Sequence, residues 1–315
     1  MVENEMRNSL WYWQMNVNNI PVFNDKMPDG KVWPKISIVT PSYNQGQFIE
    51  ETIRSVIFQG YPNLEFFIMD GGSSDNTVEI IKKYESKITH WVSEKDNGQT
   101  HAINKGFSRA TGDIVAYLNS DDIYMPYTLK LVAEIFTKFK EVQWLTGFKT
   151  HLNGGYVISP DVNVTFLFDK KLFRKGLHIL PILGWNQQPS TFWTSELFKK
   201  VGGQFNESID GNMDINLWIR FSDYEQLYFL SALIGLMRKH PEQKSQKIDN
   251  SWKLFEEQQK YLKLYPLTLR KLINQCYKIP GLRFILNRLV YKPTGSMIVW
   301  NHVKNDWEIQ VKSIF

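Results

Sequence analysis

Between residues 36 and 148 the sequence alternates continuous apolar runs with amphipathic segments, and this alternation constrains the fold more than any other feature. The segments between the runs carry apolar residues at helical spacing. The apolar runs cover residues 36–40, 64–69, 88–92, 113–118 and 142–148. Strands that are apolar at every position, each followed by a helix, indicate a parallel sheet buried on both faces. We therefore predict an α/β fold with a mostly parallel sheet covered by helices on both faces.

Length and composition set the limits of the domain organisation. With 315 residues and 43% hydrophobic content, the chain can form one large α/β domain with appendages, or two domains. The single cysteine, Cys276, excludes an internal disulfide and a cysteine-rich zinc site, and it fits a reducing compartment. We expect no signal peptide and no membrane span. The predicted parts are a lead-in over 1–34, a first half over 35–149, a second half over 150–245 and an extension over 246–315.

Positive charge is concentrated in the C-terminal extension. Residues 251–315 carry a net charge of +7, which leaves −2 for residues 1–250. Residues 260–292 hold eight Lys or Arg and no Asp or Glu, mixed with apolar residues. Basic amphipathic helices bind anionic membrane surfaces, so we predict a helical extension that lies on such a surface or packs on the rest of the protein. A nucleic-acid-binding protein is a rival interpretation, but no recognition motif supports it, and we expect no nucleic acid partner.

The apolar run 113–118 ends in Asn119-Ser120-Asp121-Asp122. Carboxylates at the carboxyl end of a strand lie where open α/β sheets bind ligands. Two adjacent carboxylates repel each other unless a cation lies between them or one takes up a proton. Mg²⁺ is held in proteins by one or two carboxylates together with substrate phosphates. This tetrapeptide therefore predicts a metal–diphosphate site, and the alternative is a turn in which one aspartate caps the next helix.

Three other predicted strands also end in polar loops. The first loop is Thr40-Pro41-Ser42-Tyr43-Asn44-Gln45, the second begins Asp70-Gly71-Gly72, and the third runs from Ser93 to His101. Taken singly, each is compatible with an ordinary turn or a solvated loop. Neither a dinucleotide fingerprint nor a P-loop is present. Because four successive strand ends carry such loops, one shared ligand site is the simpler interpretation.

The series TPSYNQGQFIEETIRSVIFQGYPNLEFFIMDGG and SEKDNGQTHAINKGFSRATGDIVAYLNSDD resembles family 2 glycosyltransferases, which have the GT-A fold. The resemblance covers roughly residues 35–240. It implies an enzyme that moves a sugar from a nucleoside-diphosphate sugar, with uridine the favoured nucleoside, to a saccharide or lipid-linked saccharide acceptor. It also implies cell-surface glycan synthesis and a divalent metal (Mn²⁺ or Mg²⁺). We expect a cytoplasmic protein, and the basic extension adds the hypothesis that it is peripheral on the cytoplasmic face of the membrane, where a lipid-linked acceptor would lie.

The resemblance assigns roles to individual residues of the first half. It implies metal ligation by Asp122. A late histidine contacts the metal or diphosphate in some relatives, which points to His240, although a lone histidine is also a common structural residue. The residues implied to bind the nucleotide and donor sugar are Thr40, Pro41, Tyr43, Asp70, Asp96, Lys105, Ser120 and Asp121. Lys105 is also compatible with a side chain that simply faces water. Relatives often have a second acid where this chain has Gly71, and a Tyr-Asp pair where it has Thr100-His101. Its recognition of the nucleotide base and its preferred donor sugar can therefore differ from theirs.

The second half is expected to supply the base and the acceptor site. Attack by a sugar hydroxyl on an anomeric carbon needs a base opposite the leaving group. The resemblance assigns this role to Asp214, at the start of a helix predicted near residue 211, with Asp210 as the alternative. It implies inversion by a single displacement. Gln188 and Trp193 lie in the segment implied for the acceptor, and a plain core strand is the alternative. A catalytically inactive nucleotide-sugar-binding or scaffold protein and a nucleotidyltransferase are the remaining alternatives.

Overall fold

The computed structural model describes residues 23–153, 156–158, 167–175, 177–178, 186–209, 213–243, 266–277, 279, 281–282 and 294–313. The strands are β1 Ile36–Ser42, β2 Leu64–Asp70, β3 His90–Ser93, β4 Ile114–Tyr117, β5 Ile123–Tyr124, β6 Trp144–Thr146, β7 His151–Asn153, β8 Tyr156–Ile158, β9 Thr191–Thr194, β10 Tyr228–Leu230, β11 Gly235–Arg238, β12 Thr294–Asn301 and β13 Asp306–Ser313. The α-helices are α1 Ile49–Ile57, α2 Thr77–Lys83, α3 Gln99–Phe107, α4 Thr128–Lys138, α5 Lys170–Arg174, α6 Ser195–Lys200, α7 Met213–Phe221 and α8 Leu267–Tyr277. The predicted α/β architecture is confirmed.

Strands β1 to β4 form the parallel part of a larger sheet, whose order is β13-β12-β10-β6-β9-β4-β1-β2-β3. Every residue of β1 is buried. Because successive side chains of a strand point to opposite faces, both faces of the sheet are covered here, as predicted. The register aligns Ser42 with Asp70 and Asp70 with Ser93. The loops after β1, β2 and β3 therefore leave the sheet side by side.

Helix α3 packs on β1 at a very short distance. A Cβ atom on Gly106 would lie 2.4 Å from Cγ1 of Val39, which is too close for any larger residue without a shift of the helix or the strand. The contact fixes α3 against the sheet. The first turn of α3, with Gln99 and Ala102, lines the cleft described below.

The rest of the larger sheet is mixed. Strand β9 runs antiparallel to both β4 and β6 and joins the two halves. Strand β10 pairs in parallel with β6 on one side and with β12 on the other. The sequence predicted less regular α+β structure for residues 150–245, and the antiparallel insertion of β9 accounts for that irregularity.

The helical interpretation of the whole extension 246–315 is corrected at its end. Residues 294–313 form the antiparallel hairpin β12–β13, which extends the larger sheet. Asn305 adopts a φ of 50° in the turn, and Ile298 is fully buried. Apolar and polar residues alternate in these strands, which indicates β structure and not a helix. The sequence prediction gave more weight to the basic composition of the extension than to this alternation. Helix α8 is the described helical part of the extension.

A smaller sheet, in the order β5-β11-β7-β8, lies beside the acid pair. Strand β5 begins directly after Asp122 and pairs antiparallel with β11. Strand β11 pairs in parallel with β7, with Met237 opposite His151. This sheet therefore brings residues from three distant parts of the chain to the position where β4 ends.

A cluster of aromatic residues forms the core beneath the second half. Trp193 is fully buried, and its ring centroid lies 5.1 Å from that of Trp218 and 6.5 Å from that of Phe205. The prediction that Trp193 contacts an acceptor is therefore corrected, and the core-strand alternative holds. In the part of the chain that the structure describes, no helix has the length and apolarity to cross a bilayer.

Candidate functional site

A cleft of about 800 Å³ opens at the carboxyl ends of β1, β2 and β4. Its walls come from the loops that follow these strands, from the first turns of α3 and α7, and from the end of β11. Among the predicted site residues, the cleft is lined by Pro41, Tyr43, Asp96, Ser120, Asp121, Asp122, Gln188, Asp214 and His240. It is not lined by Thr40, Asp70, Lys105 or Trp193. The predicted site is thus largely brought together in one place.

The first loop presents an aromatic ring to the cleft. Tyr43 is 61% exposed, although it stands directly after a fully buried strand. Its ring is available to stack on a flat ligand. Thr40 is fully buried and does not line the cleft, so its predicted contact with a nucleotide is corrected.

Asp70 builds the second loop instead of lining the cleft. Its carboxylate accepts hydrogen bonds from the backbone N–H groups of Gly72 and Ser73, at 3.2 and 2.9 Å, and from the hydroxyls of Ser73 and Ser93, at 2.5 and 2.6 Å. It is 2% exposed. These four bonds occupy the carboxylate, so the predicted contact of Asp70 with a nucleotide is corrected to a role in holding the loop.

Asp96 lies beside the glycine that replaces the second acid of the relatives. A Cβ atom on Gly71 would lie 2.9 Å from Oδ2 of Asp96, so the absence of a side chain at Gly71 makes room for this carboxylate. The other oxygen, Oδ1, accepts from the backbone N–H of Gly98 at 2.7 Å. Asp96 therefore places a negative charge where a second acid in the β2 loop would otherwise stand.

Lys105 does not reach the cleft. Its ammonium forms an ion pair with Glu94 on the outer side of α3. Lys95, which the sequence did not single out, lines the cleft in its place. The predicted contact of Lys105 with a donor phosphate is corrected accordingly.

The acid pair is held by a network that reaches across the chain. Oδ1 of Asp122 accepts from the backbone N–H of Arg238 at 2.9 Å, and Oδ2 accepts from the side-chain amide of Asn119 at 3.3 Å. The Thr52 hydroxyl bonds the carbonyl oxygens of Ser120 and Asp122, at 2.9 and 2.8 Å. Burial, and then the charge of Asp121, raise the pKa of Asp122 well above its ordinary value. A buried carboxyl of this kind gains most from a nearby cation.

His240 contacts the other acid of the pair. Its Nε2 lies 3.0 Å from Oδ2 of Asp121, and its Nδ1 lies 3.1 Å from Oε2 of Glu242. The hydrogen bond with Asp121 raises the pKa of His240. His240 thus lies beside the acid pair through Asp121, and its contact with a metal or diphosphate stays a prediction.

Arg238 connects these groups. Its Nε donates to the carbonyl oxygen of Asp121 at 2.9 Å, and its guanidinium forms an ion pair with buried Glu51. The guanidinium also lies over the ring of Phe48, 5.0 Å from the centroid. Because its own backbone N–H bonds Asp122, Arg238 holds both acids of the pair through one residue.

Asp214 lines the same cleft. It stands in the first turn of α7, and its Oδ1 accepts from the backbone N–H of Ile215 at 2.9 Å. Burial raises its pKa. Burial, and then the charges of Asp214 and Asp122, raise the pKa of the buried Tyr117 phenol well above its ordinary value. Both carboxylates therefore act on one phenol, while Asp210 lies outside the described residues.

Gln188 belongs to a chain of amides on the floor of the cleft. Its Nε2 donates to the carbonyl oxygen of Tyr117, and its Oε1 accepts from Asn119 at 3.3 Å. Oδ1 of Asn119 in turn accepts from Gln99 at 2.7 Å. The sequence missed Gln99 as a site residue, although its place at the start of a helix after a glycine loop was a usable signal.

The side chains suit a divalent cation only in part. Among the described residues, no three His, Cys, Asp or Glu side chains are grouped to hold a metal by themselves. Asp121 and Asp122 nevertheless offer carboxylate oxygens on one wall of the cleft. Hard cations bind in this way when a substrate diphosphate completes the ligand set. The residues therefore fit a metal that arrives with its substrate.

Comparison with known proteins gives a consistent result. Residues 37–182 match the sequence profile described as Glycosyl transferase family 2. An uncharacterized glycosyltransferase of Rickettsia conorii is 28% identical over 223 residues, which are 68% of this chain and 36% of the relative. The chain therefore spans about a third of the length of that relative.

Two solved structures resemble the fold. TarS of S. aureus, residues 1–349 in complex with UDP-GlcNAc, aligns with a TM-score of 0.60 and 18% identity over 82% of this chain and 76% of that one. The mannosyltransferase PcManGT of Pyrobaculum calidifontis, in complex with GDP-Man and Mn²⁺, aligns with a TM-score of 0.54 and 18% identity over 90% of this chain and 83% of that one. The expected GT-A fold is thereby confirmed.

Proposed function

We propose, from the membership of residues 37–182 in glycosyl transferase family 2, that the protein transfers a sugar from a nucleoside-diphosphate sugar to a saccharide or lipid-linked saccharide with inversion at the anomeric carbon. The observation that carries the proposal is that Asp214 and the acid pair Asp121-Asp122 line the same cleft, together with Tyr117. An inverting single displacement needs a base on one side of the anomeric carbon and charge compensation for the diphosphate on the other. This cleft offers both.

Asp214 is the base in this proposal. Its carboxylate takes the proton of the acceptor hydroxyl while that oxygen bonds to the anomeric carbon. The bond from the anomeric carbon to the diphosphate oxygen breaks, and the electron pair leaves with the nucleoside diphosphate. Burial raises the pKa of Asp214, and a base is more effective when its pKa lies closer to the working pH.

The donor site is assigned to the loops that follow β1, β2, β3 and β4. Tyr43 stacks on the base, and Asp96, beside Gly71, bonds its edge or the ribose. Asp121 and Asp122 would hold Mn²⁺ or Mg²⁺ together with the diphosphate. When bound, such an ion acts as a Lewis acid that stabilises the leaving group. The complex of TarS with UDP-GlcNAc supports a uridine donor, and that of PcManGT with GDP-Man and Mn²⁺ supports the use of a divalent metal.

The basic extension is proposed to hold the enzyme on the cytoplasmic face of a membrane, where a lipid-linked acceptor resides. Leu269 and Leu272 of α8 are 38% and 56% exposed, and Ile279 and Leu282 that follow are 51% and 40% exposed. Exposed apolar residues beside the eight Lys and Arg of residues 260–292 suit an anionic lipid surface. The check is co-sedimentation with anionic vesicles. A protein lacking residues 260–292 that sediments as well as the full chain would remove this part of the proposal.

The function is tested by nucleotide binding and turnover. We would measure the shift in melting temperature with UDP, GDP, dTDP and CDP, each with and without Mn²⁺, because ligands of the native state raise it by mass action. We expect one nucleotide to act in a metal-dependent way and Asp122→Ala to lose the effect. Asp214→Asn should keep nucleotide binding and lose about 10²- to 10⁴-fold in turnover with the matching donor. Asp223→Asn, at a surface ion pair with Arg174, is the matched control.

Near wild-type turnover by Asp214→Asn would remove Asp214 as the base. Metal-dependent nucleotide binding without turnover by the wild-type chain, across donors and acceptors, would favour the inactive nucleotide-sugar-binding protein. No shift with any nucleotide would reject the donor site itself.

A further inference from the structure

One face of the smaller sheet carries a group of nitrogen-bearing side chains that the proposed reaction does not use. Strand β11 pairs with β7 so that Met237 lies opposite His151. Side chains two residues apart on a strand share a face, so Lys239 follows Met237 on this face, and Lys149 precedes His151. We call Lys149, His151 and Lys239 the lysine–histidine patch.

The patch lies next to the proposed catalytic cleft. Met237 itself lines the cleft. Continuing the antiparallel register of β5 and β11 by one residue brings Asp122 opposite Met237. Asp122, Met237 and His151 thus lie in a row across three neighbouring chain segments. Two interstrand spacings of about 4.8 Å put His151 roughly 10 Å from Asp122 along this row.

The backbone that carries the patch is firmly held. Gln187 bonds both backbone groups of Thr150 through its side-chain amide, at 2.8 Å each. The Thr150 hydroxyl donates to the carbonyl oxygen of Gly235 at 2.6 Å, which ties β7 to β11. Lys149 and His151 flank this fixed, fully buried residue. Their positions are therefore set by the fold and not by a loose surface chain.

The charges of the patch act on one another and on His151. Burial and then the charge of Lys239 lower the pKa of Lys149 to about 8. Burial, followed by the charges of Lys239 and Lys149, lowers the pKa of His151 to about 4. Nδ1 of His151 is buried with no hydrogen-bond partner among the described residues. Two ammonium groups and a neutral imidazole in this arrangement match the oxygens of a bound phosphate, which would relieve the repulsion.

We propose that the lysine–histidine patch binds a phosphoryl group of the acceptor, so that the substrate is a phosphorylated saccharide or a saccharide–phosphate chain. The proposal rests on the glycosyltransferase function proposed above and narrows its acceptor class. Lys149 and Lys239 compensate the phosphate charge, and His151 donates a hydrogen bond to a phosphate oxygen. The phosphate is thereby held at a fixed distance from Asp122 and the donor.

The test uses glycerol 3-phosphate as the probe and glycerol as its uncharged match. The full chain is first saturated with UDP and Mg²⁺, which fills the diphosphate position of the donor site and, being diamagnetic, does not itself broaden the ³¹P line. Binding of the probe is then followed by ³¹P line broadening. We expect glycerol 3-phosphate to bind, glycerol to fail to compete, and the double variant Lys239→Gln/His151→Gln to weaken the probe about tenfold, equivalent to about 1.4 kcal/mol. Lys82→Gln, an exposed lysine of α2, is the matched control and should bind as wild type does.

Three outcomes would overturn the proposal. One is probe binding that is seen without UDP and Mg²⁺ and lost when they are present, since the phosphate would then occupy the donor site. Another is equal probe affinity in the double variant and the wild type. The third is an equal loss of UDP affinity in the double variant, which would indicate a general disturbance of the fold. UDP affinity is measured on the same samples, so failure of the donor site, which would reject the proposed function, is distinguished from failure of the patch alone.

Discussion

Removal of the Asn104 side chain should loosen the loop that leads to the proposed base. Asn104 lies in α3, yet its amide bonds a segment about a hundred residues further along the chain. Its Oδ1 accepts from the backbone N–H of Phe205 at 2.8 Å, and its Nδ2 donates to the Phe205 carbonyl oxygen at 3.0 Å and to Glu207 at 2.8 Å. Arg220 of α7 holds the same loop through the carbonyl oxygens of Val201 and Gln204.

The magnitude follows from the three bonds. At about 1 kcal/mol of net stability for each bond, Asn104→Ala should lose about 3 kcal/mol. Asn104 lines a crevice of about 580 Å³, in which water can reach the groups left without a partner. This hydration reduces the expected loss to between about 1.5 and about 3 kcal/mol. Turnover should fall as well, because the loop of residues 201–209 precedes α7 and Asp214.

The assay is urea unfolding, with the free energy compared at an unchanged slope. Asn63→Ala is the calibrating control, since Asn63 donates one comparable bond to the Trp33 carbonyl oxygen at 2.9 Å and should cost about 1 kcal/mol. Asn104→Asp places a carboxylate against Glu207 and should be restored in part by Glu207→Gln. A loss for Asn104→Ala no larger than that for Asn63→Ala would refute the reasoning that this amide anchors the loop.

Three further variants test the account of the core and the acid pair. Trp193→Ala should cost about 3–5 kcal/mol in chemical unfolding, because it empties a fully buried site, whereas an acceptor-binding Trp193 would lower acceptor affinity at unchanged stability. Gly106→Ala should cost about 1–3 kcal/mol in the same assay, because its Cβ would meet Val39, and Val39→Ala should recover part of the loss. Asp122→Asn should stabilise the metal-free protein near neutral pH, because the raised pKa of Asp122 means that its ionised form opposes folding. The gain should shrink as pH falls through that raised pKa and vanish below the ordinary value of 3.8, and urea unfolding in EDTA that shows an equal gain at low pH would contradict this.

The sequence predicted the parts of the site that follow from local patterns. Continuous apolar runs located β1, β2 and β4, and the polar residues after them line the cleft because parallel strands end at one edge. Helix α7, which carries the proposed base Asp214, begins at Met213, close to the predicted start near residue 211. These features can be predicted from the spacing of apolar residues along the chain and from the rule that ligands bind at the carboxyl ends of the strands in an open α/β sheet.

The features that the sequence could not predict depend on contacts between distant segments. Asp70 and Asp96 each lie at or just after the end of a strand, so the sequence does not distinguish them. The fold shows that the Asp70 carboxylate is hydrogen-bonded within the β2 loop, whereas Asp96 lines the cleft. Arg238 bonds Asp122 across 116 positions, and no local pattern indicates that pairing. Trp193 is an aromatic residue of the kind that stacks on sugars, and the sequence alone does not show that it is buried. Its burial follows from its place in β9, which lies between β4 and β6.

The position of β12 at the far side of the larger sheet has a consequence for synthesis on the ribosome. Strand β10 is complete at Leu230, but the strand that pairs with its outer edge begins only at Thr294. While the ribosome synthesises the residues between these two strands, the outer edge of β10 therefore lacks its partner strand. An open strand edge is a template for pairing with other chains. A truncated product that ends before Thr294 would keep this edge exposed, so premature termination should produce an aggregating protein that depends on chaperones and not a shorter working enzyme.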